Sequence, residues 1–148
     1  MSPSSILLAI AYATCIGNAL ADDIKVINGC RLRPGALCRE ANLNNADLHS
    51  LNLAGSDFSG AHLRGANLSS SNLTVADFSR ADLRGADLSN TELRATDLSG
   101  ADLRNANLRN ASPVTGAAYG ARLDGARLDG AIWIDGRRCN AHSVEVCK

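Results

Sequence analysis

The chain has few aromatic residues and no net charge. Phe, Trp and Tyr make up 3% of its 148 residues, and 15 basic side chains balance 15 acidic ones. A protein that binds nucleic acid normally carries a basic patch and aromatic platforms on which bases stack. A protein that imitates DNA would instead be strongly acidic. The composition argues against both classes, and it leaves Leu and Ala to build the core.

One apolar run occurs, and it lies near the N-terminus. It starts at Ile6 and ends at Ala19-Leu20-Ala21, a small-x-small pattern typical of signal-peptide cleavage. The run is too short to span a bilayer. We therefore expect residues 1–21 to be a signal peptide and the mature protein to begin at Asp22 in the periplasm or outside the cell. A buried apolar segment of a cytosolic protein is the alternative.

The cysteines beyond the leader form two pairs of equal spacing. Cys30 and Cys38 precede the central part of the chain, whereas Cys139 and Cys147 follow it. A spacing of eight residues does not match the usual spacing of zinc ligands. An even number of cysteines in an exported chain favours disulfides over buried free thiols. We predict the disulfides Cys30–Cys38 and Cys139–Cys147.

Between Ala41 and Asn110 the chain repeats a unit of five residues. The third residue of each unit is Leu or Phe, the first is mostly Ala, and the others are mostly polar or Gly. On an α-helix a step of five residues advances by about 140°, which scatters the leucines around the helix. On a flat strand the same step places successive leucines on opposite faces. The pattern predicts a solenoid in which each unit forms one side of a coil and its third residue points inward.

The repeated units match a known motif. The segments ANLNN, ADLRG and ADLSG fit A-[D/N]-L-x-x, so residues 36–135 resemble pentapeptide-repeat proteins, of a secreted or periplasmic type with cysteine-bearing ends. The resemblance implies an all-β fold, a right-handed four-sided parallel β-helix with four units per coil and about five coils. Residues twenty apart would then stack, for example Phe58, Phe78 and Leu98. Pro113 stands where Leu is expected, which predicts an irregular turn over residues 112–120.

Open coil ends expose apolar side chains and unpaired backbone, so both ends need covers. We assign residues 22–35 to an N-terminal cap, residues 36–135 to the β-helix and residues 136–148 to a C-terminal cap. The two predicted disulfides would tie these caps. Trp133 would close the last coil, and Ile132, Ile134, Val144 and Val146 would pack outside it.

Charged side chains repeat along one side of the predicted coils. Arg64, Arg84 and Arg104 form a column followed by Asp124, and beside it Asp82 and Asp102 are followed by Arg122. These seven residues are our candidate interaction surface. The alternative is a solvated face whose charges form weak salt bridges between coils, Asp102 with Arg122 and Arg104 with Asp124.

A second column contains acids alone, namely Asp57, Asp77 and Asp97. Such a column could attract a cation such as calcium. Its alternative role is local, because Asp side chains often accept hydrogen bonds from turn backbone.

Catalysis finds no support in the sequence. His49, His62 and His142 fall on different sides or in a cap, no serine lies in a nucleophile motif, and a filled coil has no internal pocket. We predict no catalytic residue, no metal site, no cofactor and no enzyme activity. Thr74, Thr91, Thr96 and Thr115 form no regular rank, which argues against ice binding.

The leading hypothesis is a non-enzymatic, exported rigid scaffold or protein-interaction module. Its partner would be a protein of unknown identity, with no nucleic acid and no membrane span involved, and the chain would be a monomer or an end-to-end dimer. The alternative comes from the resemblance, since some pentapeptide-repeat proteins mimic DNA and bind and protect topoisomerases. Those proteins are cytosolic and acidic, whereas this chain has a predicted leader, balanced charge and a cysteine-bearing tail.

Overall fold

The computed structural model describes residues 24–112, 121–131 and 138–139. Two short strands and a long series of isolated parallel bridges account for the regular structure of these residues. Within these ranges no helix has the length and apolar character required to cross a membrane.

The N-terminal part of the described chain is a small hairpin. Strand β1 (Val26–Ile27) pairs antiparallel with strand β2 (Cys30–Arg31). The connecting residues Asn28 and Gly29 both have positive φ, 49° and 81°, as a tight type I′ turn requires. The predicted Cys30–Cys38 disulfide is confirmed, with a Cα–Cα distance of 5.2 Å. Because Cys38 is buried at the inward position of its repeat unit, the disulfide ties the hairpin to the first coil.

The central part is a stack of parallel coils. Bridges join residues twenty apart, from Leu37 with Asp57 to Asn107 with Arg127. Twenty residues are four units of five, so each coil has four sides and neighbouring coils lie about 4.8 Å apart. The hydrogen bonds between coils are regular: the amide of a third residue donates to the carbonyl of a second residue in the next coil, as Leu63 does to Asp82 at 2.8 Å. The predicted four-sided parallel β-helix is confirmed.

Each corner of a coil is a tight turn. The amide of the first residue of one unit donates to the carbonyl of the third residue of the unit before it, as Ala66 does to Leu63 at 3.0 Å. The fifth residue of every unit from Glu40 to Asn110 has a positive φ between 51° and 67°. Glycine and asparagine adopt this left-handed conformation most readily, which accounts for their abundance at the fifth position.

The interior is filled with leucine and phenylalanine side chains in columns. Phe58 and Phe78 stack with ring centroids 4.9 Å apart, and Leu98 lies at the same position one coil further on. Leu51 is large at a first position that is otherwise small, and it is only partly buried. The fully buried residues of the third positions include Leu43, Leu48, Leu53, Phe58, Leu63, Leu68, Leu73, Phe78, Leu83, Leu88, Leu93 and Leu98.

Four hydroxyl side chains are buried in this apolar interior. Ser56, Ser71, Thr91 and Thr96 replace alanine at first positions, and each is about 1% exposed. All four donate to backbone carbonyls, for example Thr96 Oγ1 to the Leu73 carbonyl at 2.8 Å. Burial is tolerated because the hydroxyl groups are hydrogen-bonded.

Several predicted features lie outside the described residues. They are the signal peptide, the turn beginning at Pro113, Trp133 and its isoleucine neighbours, and most of the C-terminal cap. Cys139 is described and buried, whereas its predicted partner Cys147 lies outside.

Candidate interaction surface

The charged residues singled out in the sequence lie on one side of the solenoid. Successive bridges connect His62 with Asp82, Asp82 with Asp102, and Asp102 with Arg122. The second and fourth residues of a unit leave the backbone on the same, outward side because side chains alternate along an extended chain. We call this side the charged face, comprising Arg64, Asp82, Arg84, Asp102, Arg104, Arg122 and Asp124.

Two arginines of the charged face are held by the aspartate of their own unit. Arg84 donates from Nε to Asp82 Oδ1 at 2.7 Å and from Nη2 to Asp82 Oδ2 at 2.5 Å. Arg104 makes the same fork to Asp102, at 2.8 Å and 2.6 Å. Bidentate pairs of this kind fix the plane of the guanidinium group. Both arginines therefore have defined orientations.

The suggested ion pairs between coils, Asp102 with Arg122 and Arg104 with Asp124, do not form, and these residues have other partners. Asp102 pairs with Arg104 and Arg122 pairs with Asp124 at 3.5 Å, both within one unit. The ion pair between coils on this face joins Arg84 Nε and Asp102 Oδ2 at 3.9 Å. Within its unit Arg104 donates to both carboxylate oxygens of Asp102, and this two-point hydrogen bond favours the local pair over one with Arg122.

The arginines shift the protonation of their aspartates. The hydrogen bond from Arg84 lowers the pKa of Asp82 below its ordinary value, against an opposing effect of burial. The hydrogen bond from Arg104 likewise lowers the pKa of Asp102. Both carboxylates therefore stay ionised at a lower pH than an ordinary aspartate does.

A shallow groove runs along the arginine column. It has a volume of about 300 Å³ and is lined by Arg64, Arg84, Gly85, Arg104 and Asn105. A Cβ added at Gly85 would meet no atom within 4 Å, so the glycine leaves open space above the backbone. Arginine supplies the charge of this lining, and the paired aspartates are not part of it.

Arg64 differs from the other two arginines. The residue two positions before it is His62, where the next coils have Asp82 and Asp102. Its backbone amide donates to Asn44 Oδ1 at 2.9 Å, but within the described ranges its guanidinium has no acidic partner. The groove thus contains one unpaired guanidinium group beside two that are paired and oriented.

The aspartates of the acidic column accept hydrogen bonds from the backbone of their own turns. The carboxylates of Asp57, Asp77 and Asp97 accept hydrogen bonds from the amides of Ser59, Ser79 and Ser99 at 3.1, 2.8 and 2.8 Å. Arg39 also donates to Asp57 at 2.5 Å. Among the residues that the structure describes, no group of His, Cys, Asp or Glu is arranged to hold a metal ion. The contacts favour the local interpretation of this column.

Sequence reasoning found the arginine column but missed the groove. Gly85 and Asn105 complete its lining, and both are fifth residues of their units. The glycine carried a signal, because at a fifth position it leaves open space next to the arginine that precedes it.

The four-sided coil defines a solenoid protein, and comparisons with known proteins identify its class. The family described as Pentapeptide repeats matches residues 41–78 and 76–112, with 8 copies. A comparison with curated proteins found no match.

Solved structures give the same result. HetL, a pentapeptide repeat protein involved in heterocyst differentiation regulation from the cyanobacterium Nostoc sp. Strain PCC 7120, is 39% identical with a TM-score of 0.66, over 71% of this chain and 50% of HetL. A pentapeptide repeat protein from the cyanobacterium Cyanothece 51142 is 38% identical with a TM-score of 0.61, over 63% of this chain and 64% of its own. One from the Arabidopsis thaliana thylakoid lumen is 31% identical with a TM-score of 0.52, over 66% of this chain and 65% of its own.

The chain belongs to the pentapeptide-repeat family, and its β-helix is right-handed like those of its relatives. Proteins of this family are generally structural or interaction modules. The chain spans half the length of HetL and about two thirds of the other two relatives.

Proposed function

We propose that this protein is an exported, non-enzymatic scaffold that binds a partner protein through the charged face. The supporting observation is the contrast between a filled interior and an ordered outer surface. Most inward side chains are fully buried, whereas Arg64, Arg84 and Arg104 line a groove open to solvent. A rigid body with a preformed polar surface binds without a large cost of ordering its own side chains.

Two observations support export. The buried Cys30–Cys38 disulfide suits an oxidising compartment, since disulfides are rare where thiols are kept reduced. The Arabidopsis relative is a protein of the thylakoid lumen, a compartment outside the cytosol. The leader that ends at Ala21 adds a sequence argument of its own.

The intact mass of the protein isolated from its native host, measured with and without thiol alkylation, tests export. We expect a chain that begins at Asp22 and takes up no alkylating reagent. A chain that begins at Met1 with reduced cysteines would overturn export, and protection of topoisomerase would then be the next assay.

Crosslinking in the native host tests the interaction. A photo-crosslinking residue placed at Arg122, at the edge of the charged face, should capture a specific protein. The same residue placed at Arg94, on the opposite side of the coil, serves as the control. Equal capture from both positions, or none from either, would contradict binding through the charged face.

A further inference from the structure

We propose that the groove of the arginine column binds an extended acidic peptide segment, with carboxylates at alternate positions, presented by the partner protein. This inference rests on the proposed function and names the chemistry that its charged face recognises. The occupant follows from three features of the groove, namely its free donors, its spacing and the aspartates beside it.

The free donors are the unpaired edges of the guanidinium groups. Asp82 engages Nε and Nη2 of Arg84, and Asp102 engages the same atoms of Arg104, so Nη1 of each arginine keeps its protons for another acceptor. Arg64 has its whole guanidinium group available within the described part of the chain. A guanidinium group that is already oriented loses less entropy on binding a carboxylate.

The spacing of the donors suits an extended peptide. The three arginines occupy successive coils, so their backbone positions repeat about every 4.8 Å along a straight line. Alternate side chains of an extended peptide lie about 6.7 Å apart on one side. That distance falls between one coil and two, and the flexible side chains of the glutamates and of the unpaired Arg64 cover the difference.

The neighbouring aspartates exclude a continuous polyanion. Asp82, Asp102 and Asp124 repel a ligand that carries negative charge at every position, and the chain as a whole offers no positive field. The aromatic side chains of the described core, Phe58 and Phe78, are buried and give bases no platform. A peptide that alternates carboxylates with neutral residues avoids this repulsion.

The groove is also of limited size. A volume of about 300 Å³ corresponds to roughly ten water molecules, enough for the side chains of a few residues. The amide side chain of Asn105 lines one end and can pair with the peptide backbone. The occupant is therefore a short segment of a partner rather than a folded surface.

Binding of a synthetic peptide tests this inference. The probe is a short peptide of alternating glutamate and serine, and the control peptide has glutamine in place of glutamate. Affinities are measured by calorimetry, and the contacted residues by chemical-shift changes in NMR spectra. We expect the glutamate peptide to bind and to shift the signals of Arg64, Gly85 and Asn105, with affinity that falls as salt is added.

Matched variants locate the site. Arg64→Gln should weaken binding of the glutamate peptide about tenfold, since it removes a charge-assisted contact. Arg94→Gln, the same change at the same position of a unit on another side, should leave the affinity unchanged. Equal affinity of the two peptides, equal effects of the two variants, or tighter binding of a single-stranded oligonucleotide at the same ionic strength would overturn the inference.

The two proposals fail separately. If crosslinking at Arg122 captures a specific partner and Arg64→Gln does not weaken capture, the interaction module stands and the acidic-peptide site falls. If the glutamate peptide binds the groove but no partner is captured in the host, the acidic-peptide site stands and the interaction module falls.

Discussion

The hydroxyl group of Ser71 links the two backbone groups of the turn at Leu51, in the preceding coil. Ser71 Oγ accepts a hydrogen bond from the amide of Leu51 at 3.1 Å and donates one to the carbonyl of Leu48 at 2.7 Å. In most other described turns of the repeat the corresponding amide and carbonyl bond directly. The buried hydroxyl of Ser71 thus bridges two backbone groups that do not bond directly, whereas Ser56 makes the same two contacts at the Ala36 turn beside a direct bond. The two turns differ in the large side chain of Leu51 at a first position.

Replacing Ser71 therefore tests the bridge. Ser71→Ala leaves the Leu51 amide without its acceptor and should lower the free energy of unfolding by about 1–3 kcal/mol, measured by urea denaturation. Ser89→Ala, at an outward position, should change it by less than about 0.5 kcal/mol. Leu51→Ala should reduce the cost of Ser71→Ala by allowing the direct turn bond. Purely additive effects of the two changes would contradict this account.

Val75 combines a β-branched side chain with a left-handed backbone. Its φ is 60° and its side chain is largely exposed, so little packing offsets the strain. We expect Val75→Asn to raise the free energy of unfolding by about 1 kcal/mol. Val75→Thr keeps the branch and should have no such effect. A loss of stability in Val75→Asn would indicate that contacts of the valine side chain outweigh its backbone strain.

The disulfide at the N-terminal end should contribute measurably to stability. Removing it with Cys30→Ala and Cys38→Ala together should lower the free energy of unfolding by about 2.5 kcal/mol, because the closed loop restricts the unfolded chain. The comparison is repeated under reducing conditions, where the two proteins should differ far less. An equal difference in both conditions would mean that the thiol side chains matter rather than the bond.

The pairs Asp82–Arg84 and Asp102–Arg104 should make stability depend on pH in the acid range. Hydrogen bonds from the arginines lower the pKa of both aspartates in the folded state. A lowered folded pKa gives stability that is present above the unfolded value of about 3.9 and is lost as pH falls through the folded value.

A denaturation series from neutral pH to pH about 2 checks this dependence. In the double variant Asp82→Asn with Asp102→Asn, the free energy of unfolding should fall less on acidification than in the unmodified protein. Asp124→Asn is a matched control on the same face, since Asp124 is more exposed than Asp82 or Asp102. An unchanged acid profile in the double variant would show that other carboxylates cause the loss.

The repeat made much of the fold predictable. Leu at each third position and a small residue at each first position identify the inward side chains, and the resemblance supplied the four-sided coil. The fifth position was predicted only as a polar outer residue, although its positive φ in every described unit from Glu40 onward is the condition that closes each corner. Its glycines and asparagines carried that signal.

The charged face was predictable in outline and not in its contacts. A column of arginines follows directly from a period of twenty residues, so Arg64, Arg84 and Arg104 could be placed together. The choice between pairing within a unit and pairing between coils depends on distances of a few ångströms. The linear pattern does not contain those distances.

The sequence by itself determined that the chain is a solenoid, because a period of five fixes which side chains face inward and neither a helix nor a flat strand would bury them together. Tertiary structure decided how the outward groups are used. Stacking brought Arg64, Arg84 and Arg104 together along one groove and placed Ser71 over the turn at Leu51. These relations join residues of neighbouring coils, and they arise only when the chain has wound back on itself.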